Sequence, residues 1–174
     1  YLVSKSDIGL SVTDRKYARP IFTGGAIPAQ IVLREDVGAL WTEEFTGLEW
    51  REGIGSSELE SIEIGDVFAK IRYAGQIPLK EVSWHGFEGL NWRKTFYIYK
   101  DIDRIDVHID MDYKGRATEV SVLFPTNVNA AASRCRYEIP FGSVFREPYS
   151  KDNYKFGRGN WPALSWCDYC DENF

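Results

Sequence analysis

An all-β fold, a sandwich of antiparallel sheets, is the class this sequence predicts, and three observations predict it. Apolar and polar residues alternate with period two through much of the chain, the pattern of strands with one buried and one wet face. Turn-forming Gly, Pro, Asn and Asp separate these stretches at roughly 12-residue spacing, as in sandwiches and barrels. No stretch holds the helical period of ~3.6 residues over about 12 positions.

The elements follow in order. Ala29 to Arg34 reads as the first clear strand, after the turn Thr23-Gly24-Gly25 and before Gly53-Ile54-Gly55. From Asp66 to Ala74, Val67, Ala69, Ile71 and Tyr73 alternate with Asp66, Lys70 and Arg72, and Ala74-Gly75 reads as the turn that ends them. Gly86-Phe87-Glu88-Gly89 reads as another turn, before a strand over Asn91 to Lys100 that ends in a turn at Lys100-Asp101. The clearest case is Arg104 to Tyr113. Ile105, Val107, Ile109, Met111 and Tyr113 point one way, and Arg104, Asp106, His108, Asp110 and Asp112 the other. Lys114-Gly115, a strand over Glu119 to Phe124 and the turn Pro125-Thr126-Asn127 come next. A helical turn near Asn129 to Ser133 and a strand over Arg134 to Ile139 follow. Glu147 to Phe174 loses the alternation and reads as a long surface loop with one more short strand. With neither repeat nor low-complexity linker, residues 1–174 read as one domain.

Composition limits the partners. The 174 residues carry a formal charge of −5, and no basic run exceeds pairs such as Arg93-Lys94 or Arg134/Arg136. A phosphate-backbone partner needs clustered cations, so nucleic acid is not expected. No stretch approaches the ~18 apolar residues of a membrane span, and no signal peptide is visible. The chain begins Tyr1-Leu2-Val3 without Met, which reads as a fragment of a longer protein. Three cysteines, Cys135, Cys167 and Cys170, form an odd set that suits a reducing, cytoplasmic setting.

Several groupings bear on chemistry. Asp106, His108, Asp110 and Asp112 lie two apart, ~7 Å at Cα along a strand, so their side chains can converge on one ion. A solvated face that keeps the sheet soluble is the favoured reading. Cys167-Asp168-Tyr169-Cys170 has metal or redox spacing but lacks a second ligand pair, and the spacing reads as incidental. There is no Gly-x-Ser-x-Gly elbow and no phosphate-cradling Gly-rich loop. Glu43-Glu44 and Asp101/Asp103 are close pairs of a kind expected by chance among 26 acidic residues. Trp84, Trp92, Trp161 and Trp166 suit stacking on the C–H face of a sugar, and they equally suit anchoring loops to a core. Arg158 to Asp168 interleaves Trp with Arg, Asn and Asp as a sugar site would.

Five segments together resemble the β-rich region that follows the catalytic domain in glycoside hydrolase family 38, the α-mannosidases. They are Ile31-Val-Leu-Arg-Glu-Asp-Val-Gly-Ala-Leu-Trp41, Arg104 to Tyr113, Val122-Leu-Phe-Pro-Thr126, Tyr137-Glu-Ile-Pro-Phe-Gly142 with Arg146 and Pro148, and Pro162-Ala-Leu-Ser-Trp166-Cys-Asp168. They occur in the family's order. Glu147 interrupts the family's Arg-Pro step, and Tyr169-Cys170 stand where Leu-Ser is common.

The resemblance implies a galactose-mutarotase-like super-sandwich of antiparallel sheets. It implies a parent enzyme that hydrolyses terminal α-mannosides with an Asp nucleophile and a divalent metal, usually zinc. Those groups lie in regions for which no position here is a match. This chain would be non-catalytic, with the catalytic domain of the same parent as its partner and carbohydrate as a further ligand. Arg146, Trp161, Trp166 and Asp168 are the residues expected near substrate. Two other readings stand beside this one. The first is an autonomous carbohydrate-binding module with Trp161 and Trp166 as its platform. The second is a mutarotase-like epimerase using His85 or His108. An excised accessory domain would also expose an apolar patch where its parent packed.

Overall fold

The computed structural model describes residues 2–6, 9–39, 42–129, 134–146 and 161–171, with the backbone alone at 2–6 and 9. Trp41, most of the helical turn expected near Asn129 to Ser133, and residues 147–160 of the expected loop lie outside the described residues. The fold is all-β, and no α-helix occurs among the described residues. Two compact units divide the chain, residues 1–126 and 127–174.

The first unit holds ten strands: β1 (Leu2–Ser6), β2 (Gly9–Asp14), β3 (Arg19–Pro20), β4 (Gln30–Asp36), β5 (Phe45–Arg51), β6 (Ser57–Ile64), β7 (Phe68–Ile77), β8 (Phe87–Tyr99), β9 (Ile105–Gly115) and β10 (Thr118–Leu123). They form a four-stranded sheet β6-β7-β8-β9 and two three-stranded sheets, β10-β4-β5 and β1-β2-β3. Every described pairing in the unit is antiparallel.

The large sheet is covered on its inner face at two places. Near one end, Ile31 and Leu33 of β4 pack against Ile77, Leu90 and Trp92, with Val82, Trp84 and Phe87. Near the other, Leu10 and Val12 of β2 pack against Ile71, Tyr73, Phe96 and Ile98. Each buried side chain of this size contributes about 1.5–3 kcal/mol. Between the strands that line these cores, Lys94 and Glu52 are 2% and 1% exposed. Their side chains bond to each other, and Glu52 also accepts from the Ile31 amide at 3.0 Å.

The expected strands over 29–34, 66–74, 91–100, 104–113 and 119–124 are present as β4, β7, β8, β9 and β10. Ile105, Val107 and Ile109 of β9 face the second core and Tyr113 the first, whereas Met111 is exposed. Two expected turns are corrected. Ala74-Gly75 lies inside β7, and a Cβ on Gly75 would stand 2.3 Å from the Trp92 ring, so the glycine makes room for an indole. Gly86 to Gly89 contains the start of β8 at Phe87, with Gly86 and Gly89 at positive φ.

The second unit is one sheet of order β12-β11-β13, with β11 Arg134–Ile139, β12 Gly142–Arg146 and β13 Cys167–Cys170. β13 is the short strand expected within the long C-terminal stretch. Pro140 and Phe141 form a two-residue connection between the paired Ile139 and Gly142. Phe141 takes φ 66°, a left-handed conformation that glycine adopts freely and a bulky residue resists, and its ring is fully exposed.

Candidate functional site

The small sheet collects the expected site residues, and its register decides which of them meet. Successive strand residues point to opposite faces. In the ladders, Arg136 pairs with Phe145 and with Asp168, Cys135 with Arg146 and Tyr169, and Tyr137 with Cys167. Arg136, Glu138, Phe145 and Asp168 therefore share one face. Cys135, Tyr137, Arg146, Cys167 and Tyr169 share the other.

On the first face the Arg136 guanidinium lies 5.6 Å from the Phe145 ring and 5.9 Å from the Trp166 ring. Its Nε donates to Ser143 Oγ at 2.7 Å. Glu138 holds the segment that carries Trp166. Its backbone N–H donates to the Trp166 carbonyl at 3.1 Å, and its Oε2 accepts from the Ser165 amide at 2.8 Å and from the Ser165 hydroxyl. Asp168 accepts from the Cys170 thiol at 3.8 Å.

On the second face the Arg146 guanidinium lies 4.8 Å from the Trp161 ring and 5.7 Å from the Tyr137 ring. Burial pushes the Cys135 thiol and the Tyr137 phenol above their ordinary values. For Cys135 the hydrogen bond with Tyr137 works in the opposite direction.

Arg146, Trp161, Trp166 and Asp168 thus all belong to this unit but not to one platform. Trp161 stacks with Arg146, and Trp166 stacks with Arg136 on the face of Asp168. The two indoles are 38% and 41% exposed, enough for each to meet a ligand. Arg136, Phe145 and Tyr137 are the members that residue types alone did not single out.

Other expectations resolve in the same terms. Trp84 and Trp92 are core residues, with the Trp84 indole N–H donating to Thr118 Oγ1 at 2.9 Å. Cys167 and Cys170 lie three apart on one strand, hence on opposite faces, and all three cysteines are free. On β9, Asp106 accepts from the Tyr99 hydroxyl at 2.8 Å and pairs with Arg104. The Tyr99 bond first, and Arg104 second among the favourable contacts, hold its carboxyl below the usual range. His108 sets its ring against Tyr97, while Asp110 and Asp112 are exposed. No group of three His, Cys, Asp or Glu suited to a metal ion occurs among the described residues.

Two of the open grooves of the first unit have volumes of about 750 and 720 Å³. One is lined by Ser56, Glu58, Glu60, Gln76, Glu81 and Asn91, with Glu60 already held by Arg93. The other is lined largely by apolar residues including Ile62, Ile64 and Phe68. Neither contains an expected site residue. No helix among the described residues is long and apolar enough to cross a membrane. No protein-family model and no curated protein matches the chain.

Proposed function

We propose that this chain is an accessory β region of an α-mannosidase-type glycoside hydrolase, of the galactose-mutarotase-like sandwich type. Its role is to buttress the catalytic domain and to present Trp161 and Trp166 toward carbohydrate. The observation that carries the reading is which segments meet. Tyr137 to Gly142, Arg146 and Trp166 to Asp168, separated in sequence, are neighbours on one small sheet. The segments from Ile31 and from Val122 likewise meet, on the adjacent strands β4 and β10. Segments that resemble one family and also pair in space support a common origin better than their order does. The aspartate nucleophile and the zinc belong, in this reading, to the catalytic domain of the same parent.

A second reading, an autonomous carbohydrate-binding module, draws on the exposure of the two indoles. Two measurements separate them. Tryptophan fluorescence is followed while the chain is titrated with mannose oligosaccharides to millimolar concentration, and nitrophenyl α-mannoside hydrolysis is assayed for the chain and for the full product of its gene. The accessory role predicts turnover by the full product and none by the chain. Tight sugar binding by the chain, with an inactive full product, would favour the module instead.

A further inference from the structure

We infer that the Arg146 face of the small sheet binds an oxyanion, a carboxylate or phosphate group carried by a ligand. The inference goes beyond the assignment of a parent enzyme and does not depend on it.

Several arginines of the first unit are satisfied by carboxylates. Arg34 pairs with Glu49 and Glu119, Arg51 with Glu49, Arg93 with Glu60 and Arg104 with Asp106. Arg146 is different. It is half-buried, and its guanidinium is held over the rings of Trp161 and Tyr137. Among the described residues it makes no hydrogen bond to a protein acceptor and no ion pair. A cation–π contact draws on the charge of the group and leaves its five N–H donors unspent. Its donors are open to water and are held in place by the rings, so the site is poised for a ligand that supplies an acceptor.

The surroundings favour the same ligand class. The register places both nearby carboxylates of the sheet, Glu138 and Asp168, on the opposite face with Arg136. The face of Arg146 carries Cys135, Tyr137, Cys167 and Tyr169, neutral groups that do not repel an anion. No carboxylate of the sheet's described strands shares the face of Arg146. Stacking between two rings also restricts the guanidinium before any ligand arrives, which lowers the entropy lost on binding. A planar fork with donors free is the geometry that carboxylate and phosphate oxygens fit.

The test uses the full chain and four probes: inorganic phosphate, mannose 6-phosphate, methyl glucuronide and methyl α-mannoside. Binding is read by calorimetry and by the shift of the Trp161 indole N–H resonance. The charged probes should bind and move that resonance, and Arg146→Gln should weaken them by about tenfold or more, the worth of one charge-assisted hydrogen bond. Arg146→Lys should also lose affinity, because an ammonium keeps the charge without the fork. Arg93→Gln, in the first unit and outside the small sheet, should leave these affinities unchanged. Free phosphate and sugar phosphate binding equally would identify the oxyanion itself as the ligand; tighter sugar phosphate or glucuronide would identify a sugar-borne group. The inference is overturned if no charged probe binds at millimolar concentration, if folded Arg146→Gln binds like the parent chain, or if Arg93→Gln weakens binding as much. Hydrolysis by the full gene product tests the parent assignment separately, so the two can fail independently.

Discussion

The two units of this chain treat the same residue types in opposite ways. Among its described residues, the first buries Trp84 and Trp92 and pairs several of its cations with carboxylates. Trp84 and Trp92 lie in the core, Lys94 meets Glu52 inside the fold, and Arg34 is held between two glutamates. The second displays them. Trp161 and Trp166 stay open to solvent, and Arg136 and Arg146 are held by rings instead of carboxylates. Composition therefore says little about role here. A tryptophan or an arginine supports the fold or faces a ligand according to what satisfies it, and the contrast can be broken or sharpened by removing that partner.

The largest effect is expected at the buried pair. Lys94→Met removes the buried cation that Glu52 bonds and should cost about 3–5 kcal/mol. Lys94→Met with Glu52→Gln should recover a large part of that loss, because neither charge then remains unpaired. Urea unfolding of the two variants checks this, and a single variant that costs under about 1 kcal/mol would mean the pair is solvated after all. Nothing comparable should follow Arg146→Gln in the other unit, since no described residue forms an ion pair with it.

Two glycine exchanges of opposite sign sharpen the comparison further. Gly75→Ala sets a Cβ against the Trp92 ring and the Ser56 carbonyl, so it should destabilise by about 1–3 kcal/mol. Phe141→Gly, in the second unit, relieves a left-handed residue whose ring is fully exposed, and should stabilise by about 1 kcal/mol. The first unit uses glycine where a ring needs the space. The second keeps a ring where the backbone would prefer glycine, strain of a kind retained when a side chain has work to do. Thermal unfolding midpoints read both, and a drop in Phe141→Gly would show that the exposed ring supports its own hairpin.

How far this was legible follows from the same particulars. β7, β8, β9, β10 and β11 announce themselves by their alternation, and β4 by the apolar run Ile31 to Leu33, buried on both faces. β6 does not, because a bulge between Leu59 and Ser61 shifts the phase. Leu59 and Ile62, three apart, then pair with Tyr73 and Ile71 of the core-facing set. β5 is a mostly exposed edge strand with Gly47 inside it, so it lacks an apolar face to betray it. Gly75 is ambiguous in sequence because glycine marks both a turn and a close approach, and only the Trp92 ring tells them apart. At the site, Trp161, Trp166 and Asp168 stand out by type and Arg146 through the family resemblance, but their division into two stacks depends on register. That register was within reach. A two-residue connection at Pro140-Phe141 sets Arg136 opposite Phe145 and leaves Arg146 on the other face. The contribution of Trp161 arises across an irregular segment, where alternation gives no guide.

Alkaline pH should separate the units by the smallest and most diagnostic margin. In the first unit, burial holds Lys94 below the ordinary lysine value of 10.5 despite Glu52. The unfolded chain then binds that proton more strongly, so this group's contribution is lost as pH falls through the folded value and regained as pH rises toward 10.5. In the second unit, burial raises Tyr137 above 10.0. Here the folded chain binds the proton more strongly, so the contribution is complete below 10.0 and is lost as pH climbs through the raised value. Unfolding free energies measured across the alkaline range should therefore lose a rising component in Lys94→Met and a falling one in Tyr137→Phe. If Lys94→Met instead steepened the rise, the ammonium would be better stabilised inside the fold than in water, and the first unit would owe its buried charge to attraction exceeding desolvation.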